Sequence, residues 1–162
     1  MIKKLKYQLI LISVTFSGTI FALNEILENE KVLTVHKTPT CGCCKMWMKH
    51  VEKNGFIANA KDHQNLMDIK DSFKIKPEYR SCHTSVSSNG YIFEGHIPSK
   101  YIDQFLSEEH PNAIGLSVPG MPLGSPGMEV EGMFTPYNVL ILFKDGTSDI
   151  YAEVKEYNSY SF

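Results

Sequence analysis

The 162-residue sequence has no surplus of charge of either sign: 16 basic side chains face 18 acidic ones, a formal net charge of −2 with a pI near 6.3. Without a basic stripe there is no electrostatic case for nucleic acid. Long apolar runs are also missing. The apolar run near the start, Leu9 to Leu23, is 15 residues, short of the ~18–20 that a spanning helix wants. No internal repeat is present, and no Ser-His-Asp set, phosphate-binding glycine loop or specific carboxylate pair stands out. What remains is ordinary globular material, 43% hydrophobic, 11% aromatic and 21% charged, in a chain with room for one domain. Against that background the four cysteines are the anomaly, because three of them fall within Cys41-Gly42-Cys43-Cys44.

The first residues read as an address rather than as fold. Lys3, Lys4 and Lys6 precede the short apolar run, and Ile20-Phe21-Ala22 offers a small-residue cleavage site. Basic start, apolar core and cleavage site together predict a secretory signal peptide over residues 1–22. Its removal takes away three lysines and no acid, moving the formal charge from −2 to −5. Export to the periplasm matters for the thiols, since an oxidising compartment converts paired cysteines to disulfides. They must then be protected or be meant to cycle.

The rest of the chain alternates strand and helix patterns. Lys31 to His36 reads as a strand, and Cys44, Trp47, Met48 and Val51 mark one face of a helix stopped by Gly55. Phe56 to Ala60 is a short strand. Asp62 is expected to cap a second helix with Leu66, Ile69 and Phe73 inward, closed by Pro77. Ser81 to Glu94 predicts a hairpin turning at Asn89-Gly90. Pro98 and Ser99 open a third helix carrying Tyr101, Ile102, Phe105 and Leu106 on its buried side. Residues 111–136 are read as a Gly/Pro-rich loop, followed by a closing hairpin of Tyr137–Phe143 and Ser148–Ala152. The predicted fold is therefore α/β, a thioredoxin-like β-α-β-α-β-β-α core over residues 31–152 with that loop and a C-terminal β-hairpin.

The cysteines carry the chemistry. Cys41 and Cys44 have C-x-x-C spacing where a strand and loop feed a helix, and the amides and dipole of a helix start favour thiolates. Dithiol–disulfide exchange needs only one attacking and one resolving thiol, which leaves Cys43 surplus. Several sulfurs around a soft metal account for it better. In this order of elements Ser81-Cys82-His83 enters the third strand beside the C-x-x-C helix start, so all four thiols converge. Such a set suits Zn, Fe–S or Cu(I). Zinc usually draws on two separated chelating pairs, whereas three crowded cysteines and one isolated one favour thiolates bridging several ions. Two plain disulfides stapling an exported domain are the bland alternative, though adjacent Cys43 and Cys44 are awkward for two unstrained bridges.

His83 adjoins Cys82 and reads equally as a ligand or as a solvent-facing strand residue. His96 sits on a Gly/Pro loop and leans toward the site. Met121 and Met128, soft thioethers seven residues apart in Val118-Pro-Gly-Met-Pro-Leu-Gly-Ser-Pro-Gly-Met128, read either as Cu(I) ligands or as caps on the core. Met46, Trp47 and Met48 read as packing. His36, His50, His63 and His110 read as surface or strand histidines, and Glu129 and Glu131 as solvated.

Four motifs together, Thr38-Pro-Thr-Cys-Gly-Cys-Cys-Lys-Met-Trp47, Ser81-Cys-His-Thr84, Gly90-Tyr91 with Glu94-Gly-His-Ile-Pro98, and Gly115 to Glu129, resemble those of the bacterial periplasmic copper-resistance CopG family, long catalogued as a domain of unknown function. The resemblance runs from about residue 31 to 152. It implies a thioredoxin-like fold and a cysteine-bridged multinuclear copper site at Cys41, Cys43, Cys44 and Cys82, with His96, Met121 and Met128 at family motif positions. The expected function is Cu(I) binding in copper resistance, alongside other envelope resistance proteins. A thiol–disulfide oxidoreductase using Cys41 and Cys44 is the alternative, and whether redox catalysis accompanies metal binding stays open at this point.

Overall fold

The computed structural model describes residues 31–156, so the leader expected over residues 1–22 lies outside the described residues. Within them the chain runs β1 (Val32–Lys37), α1 (Gly42–Lys53), β2 (Ile57–Asp62), α2 (Met67–Ser72), a 3-10 turn (Pro77–Tyr79), β3 (Thr84–Ser87), β4 (Ile92–Glu94), α3 (Ser99–Leu106), β5 (Ala113–Ser117), β6 (Tyr137–Phe143) and β7 (Ser148–Val154). The seven strands form one sheet in the order β2-β1-β3-β4-β5-β6-β7. β1 pairs in parallel with β2 and antiparallel with β3, and β3 and β4 form the hairpin at Asn89-Gly90. β4 pairs in parallel with β5, and β5, β6 and β7 continue antiparallel.

The helices bury the faces that the periodicity marks. On α1 these are Cys44, Trp47 and Val51, and on α3 Ile102 and Phe105. They meet Leu33, Val35, Phe93, Leu116 and Val139 from the sheet in one apolar core. Trp47 is fully buried and its indole N–H donates to the carbonyl of Ile97 at 2.8 Å, which satisfies the one polar atom of a large core side chain. His50, read from sequence as a surface or strand residue, is instead buried on α1, and its Nε2 accepts the Ser99 N–H at the start of α3. An imidazole there serves one of the amides that a helix N-terminus leaves without a partner.

Two boundaries and one strand depart from the sequence reading. Asp62 does not cap a helix. It ends β2, where it meets Lys37 at 2.5 Å, and Asn65 Oδ1 takes the Met67 N–H at 2.9 Å instead. The first helix begins at Gly42, two residues before Cys44. Residues 111–136 are not all loop, because Ala113–Ser117 is the buried strand β5. Its small residues disguised it. A Cβ on Gly115, which has φ of 150°, would fall 1.8 Å from the carbonyl oxygen of Ile92, so close β4–β5 pairing admits no side chain at the centre of a strand in which Ile114 alone is β-branched.

Candidate metal centre

Cys41 occupies the N-cap of α1, where its sulfur accepts the Cys44 N–H at 3.2 Å. The first turn brings Cys43 and Cys44 to the same helix end, the positive end of its dipole. Cys82 arrives from the loop before β3. The ligating atoms of Cys41, Cys43, Cys44 and Cys82 all lie within 4.8 Å of one another. Cys43 Sγ is 3.5 Å from Cys41 Sγ, and Cys82 Sγ is 4.0 Å from Cys43 and 3.6 Å from Cys44. Cys41 and Cys44 are joined as a disulfide, with Cα atoms 5.4 Å apart, while Cys43 and Cys82 are free thiols. The two-disulfide alternative is thus not what the chain adopts.

Cys82 also belongs to a second donor group. Its sulfur lies 2.8 Å from His96 Nε2 and 3.3 Å from His83 Nδ1, and the three ligand atoms again fall within 4.8 Å. The opposite nitrogen of His96 is 2.7 Å from the carbonyl oxygen of Pro126. A carbonyl only accepts, so Nδ1 carries the hydrogen, and in the neutral ring Nε2 turns its lone pair to the cysteines. This is the outer-shell arrangement that orients ligating imidazoles. His83 is not solvent-facing. It is fully buried against Trp47, with ring centroids 4.4 Å apart, and stands edge-on to His96 at 5.1 Å. Its Nε2 has no hydrogen-bond partner.

The electrostatics follow from burial. Loss of solvation, reinforced by Cys43, pushes the Cys82 thiol up to about 12. Burial, then the neighbouring His96 and Lys70, holds His83 well below the usual imidazole range, and burial lowers His96 as well. The metal-free cluster is therefore a neutral one, two unprotonated imidazoles beside a protonated thiol. A bound soft cation changes that logic, because it displaces the thiol proton and is itself the largest local charge. Four sulfurs and two imidazoles sharing one cysteine suit a thiophilic metal once an external dithiol has passed two electrons and two protons to the Cys41–Cys44 disulfide, becoming a disulfide itself.

The methionines stand differently. Met128 is half-buried in a turn, its N–H donating to Ser125 at 2.8 Å. That turn packs on α1, since a Cβ on neighbouring Gly127 would lie 2.7 Å from the Cys43 carbonyl oxygen and 3.3 Å from His96 Nδ1. Met121 is 52% exposed and lines an open cleft of about 480 Å³ with Pro119, Pro122, Tyr137, Asn138 and Leu140. Glu129, expected to be solvated, folds back so that its carboxylate accepts the Gly127 N–H at 2.7 Å.

Sequence reading missed a buried group beneath the site. Lys70, on α2, places its ammonium 2.5 Å from Glu94 Oε1, and Glu94 also accepts from Ser81 N–H and Thr84 O–H, both at 2.6 Å. The signal was present, because Lys70 falls four residues after Leu66 on the inner face traced by Leu66 and Phe73. An apolar reading of that face passes over a charge.

The family described as a protein of unknown function, DUF411, matches residues 79–128, the stretch bearing Cys82, His83, His96, Met121 and Met128. Two solved structures are similar over about three quarters of the chain. "Copper resistance protein copG- Form 1" is 35% identical, with a TM-score of 0.72 over 77% of this chain and 98% of that one. Form 2 is 36% identical, with a TM-score of 0.71 over 76% and 98%. No curated protein sequence matches the chain. Fold and site together define a mixed α/β protein with a cysteine-rich centre able to hold metal. The chain belongs to the CopG copper-resistance family.

Proposed function

We propose that this chain is an exported copper-handling protein that binds Cu(I) in a cysteine-bridged, multinuclear site as part of copper resistance. The observation that carries the reading is the convergence of four cysteine sulfurs within 4.8 Å, with Cys82 shared by His83 and His96. Thiolates that close bridge ions instead of enclosing one, and thiolate with imidazole is a donor set that Cu(I) prefers. That the similar structures are of copper resistance proteins supports the choice of metal. Met121 and Met128 join the ligand set in this reading, Met128 from the turn that abuts α1. The β2-β1-β3-β4 order supports a thioredoxin-like core to which β5–β7 are added. The leader over residues 1–22 places the protein in the periplasm, where it exchanges copper with other envelope resistance proteins.

The test is an anaerobic titration of the reduced protein with Cu(I) against a chromogenic chelator. More than one Cu(I) per chain is expected, with less uptake by protein kept oxidised at Cys41–Cys44. Cys82→Ser should weaken binding at least about 100-fold, since both donor groups lose their common member. Uptake below one Cu(I) per chain, or indifference to Cys82→Ser, overturns the reading.

The Cys41–Cys44 disulfide at a helix start favours a second reading, thiol–disulfide oxidoreductase. It predicts insulin-reduction turnover abolished by Cys41→Ser and insensitive to Cys43→Ser and Cys82→Ser.

A further inference from the structure

The buried Lys70–Glu94 pair has no part in the donor set, yet it is built into the chain segments that carry it. Both side chains are almost wholly withdrawn from water, Glu94 at 0% exposed and Lys70 at 4%. A buried ion pair is weak grounds for stability, because desolvating two charges offsets most of their attraction, and a pair of this kind invites a search for what else it does. Here the carboxylate is a hub. One oxygen accepts the backbone N–H of Ser81 and the Lys70 ammonium, and the other accepts the hydroxyl of Thr84, which itself accepts from Lys70 at 3.1 Å.

Ser81 and Thr84 are the two residues that bracket Cys82-His83. A single carboxylate thus grips both ends of the two-residue segment that presents a thiol and an imidazole to the cluster. Glu94 is also two residues before His96, and the Gly95 N–H donates to the carbonyl of His83 at 2.9 Å. The carboxylate bonds and this backbone bond together tie the Cys82-His83 segment to the strand end that leads into the His96 loop. Ser81 is held once more from the other side, through its hydroxyl to the Gly120 carbonyl and a bridge to Gly120, which ties the long loop to the same point.

We infer that Glu94 is a positioning residue that holds Cys82 within reach of Cys44 and of both histidines, and that Lys70 stations the carboxylate for that task. The inference deepens the metal-binding reading and rests on it for its purpose, but the positioning can be measured without metal. Outer-shell partners of this kind alter metal affinity by roughly 10–100-fold when removed.

The experiment compares two neutralised pairs, because substituting Glu94 alone would strand the Lys70 ammonium. Lys70→Met with Glu94→Gln keeps an acceptor for Ser81 and a donor for Thr84. Lys70→Met with Glu94→Leu keeps the approximate bulk and loses both contacts. Each is made in a Cys41→Ser, Cys43→Ser background, leaving Cys44 and Cys82. The equilibrium is then read in a glutathione buffer: the two thiols lose two protons and two electrons as the Cys44–Cys82 disulfide forms, while oxidised glutathione becomes two reduced molecules. The effective concentration of Cys82 is expected to fall about 10-fold or more in the Leu pair and to stay within about threefold of the parent in the Gln pair. The same ranking is expected for Cu(I) affinity when the four cysteines are restored. Should the Leu pair fail to fold, Thr84→Val is expected to lower the effective concentration by about two- to threefold, with Thr84→Ser restoring it.

Equal effective concentrations in the two folded pairs, or in the Thr84 variants if the Leu pair is lost, overturn the positioning role. Absence of Cu(I) uptake by the parent protein overturns the metal reading instead, and leaves the glutathione result to decide the positioning by itself.

Discussion

At the scale of single residues, the site depends on imidazoles kept neutral by burial. His83 is surrounded by Trp47, His96 and the Cys82 sulfur, and burial lowers its proton affinity below the 6.5 of an unfolded histidine. The unfolded chain therefore binds more protons than the folded one as pH falls through 6.5, and linkage makes stability rise with pH across that window. The contribution of neutral His83 is fully present above pH 6.5 and is withdrawn as pH falls below it. Thermal melts of the reduced, metal-free protein should thus drop more steeply between pH 7.5 and 5.5 for wild type than for His83→Phe, whose ring keeps the packing and cannot take a proton. Parallel slopes would remove the burial argument. The sequence placed His83 beside Cys82 but left its environment open, because alternation along a strand does not say which side the next layer covers.

Among elements, the decisive contact is between the Gly/Pro-rich loop and the start of α1. Composition alone marked residues 111–136 as loop, and it hid β5 because Gly115 must admit the Ile92 carbonyl. The same composition also hid what the loop does. Gly127 has φ of 85° and lies against the Cys43 carbonyl and the Trp47 amide, so the preceding Pro126 carbonyl reaches His96 Nδ1 at 2.7 Å. A methyl group there has no room, and the left-handed backbone adds strain of about 1–3 kcal/mol. Gly127→Ala is expected to loosen the His96 anchor and weaken Cu(I) binding on the order of 10-fold. Gly132→Ala, with φ of 71° but nothing near its added Cβ, is the control for backbone strain. Equal Cu(I) affinities for the two variants, measured by chelator competition, would separate the loop from the site.

For the whole molecule, the site lies where the first crossover meets the β3–β4 hairpin. Cys82 comes 38 residues after Cys44, yet their sulfurs are 3.6 Å apart, because β1 pairs with β3 and brings its loop to the α1 N-terminus. No helix among the described residues is long and apolar enough to cross a membrane, and the expected leader supplies a separate test. Full-length protein expressed in a bacterial host should be recovered from the periplasmic fraction with Leu23 as its first residue, read by intact mass. Recovery of the uncleaved chain from the cytoplasm would end the export proposal.

The sequence by itself determined the local facts: the cysteines on and before a helix start, the alternating strands, the turn at Asn89-Gly90, and a family likeness strong enough to name copper. These are legible because turn chemistry, apolar period and thiol spacing are properties of neighbours along the chain. Tertiary structure decided what depends on neighbours in space. It buried His50 and His83, turned His96 by a carbonyl 30 residues away, and showed Lys70 and Glu94 facing one another beneath Cys82. A charged residue in a sequence does not reveal whether a partner waits for it in the core. Only the fold, by setting Lys70 of α2 beside Glu94 of β4, supplies that partner, and with it the hold on the residues that flank Cys82-His83.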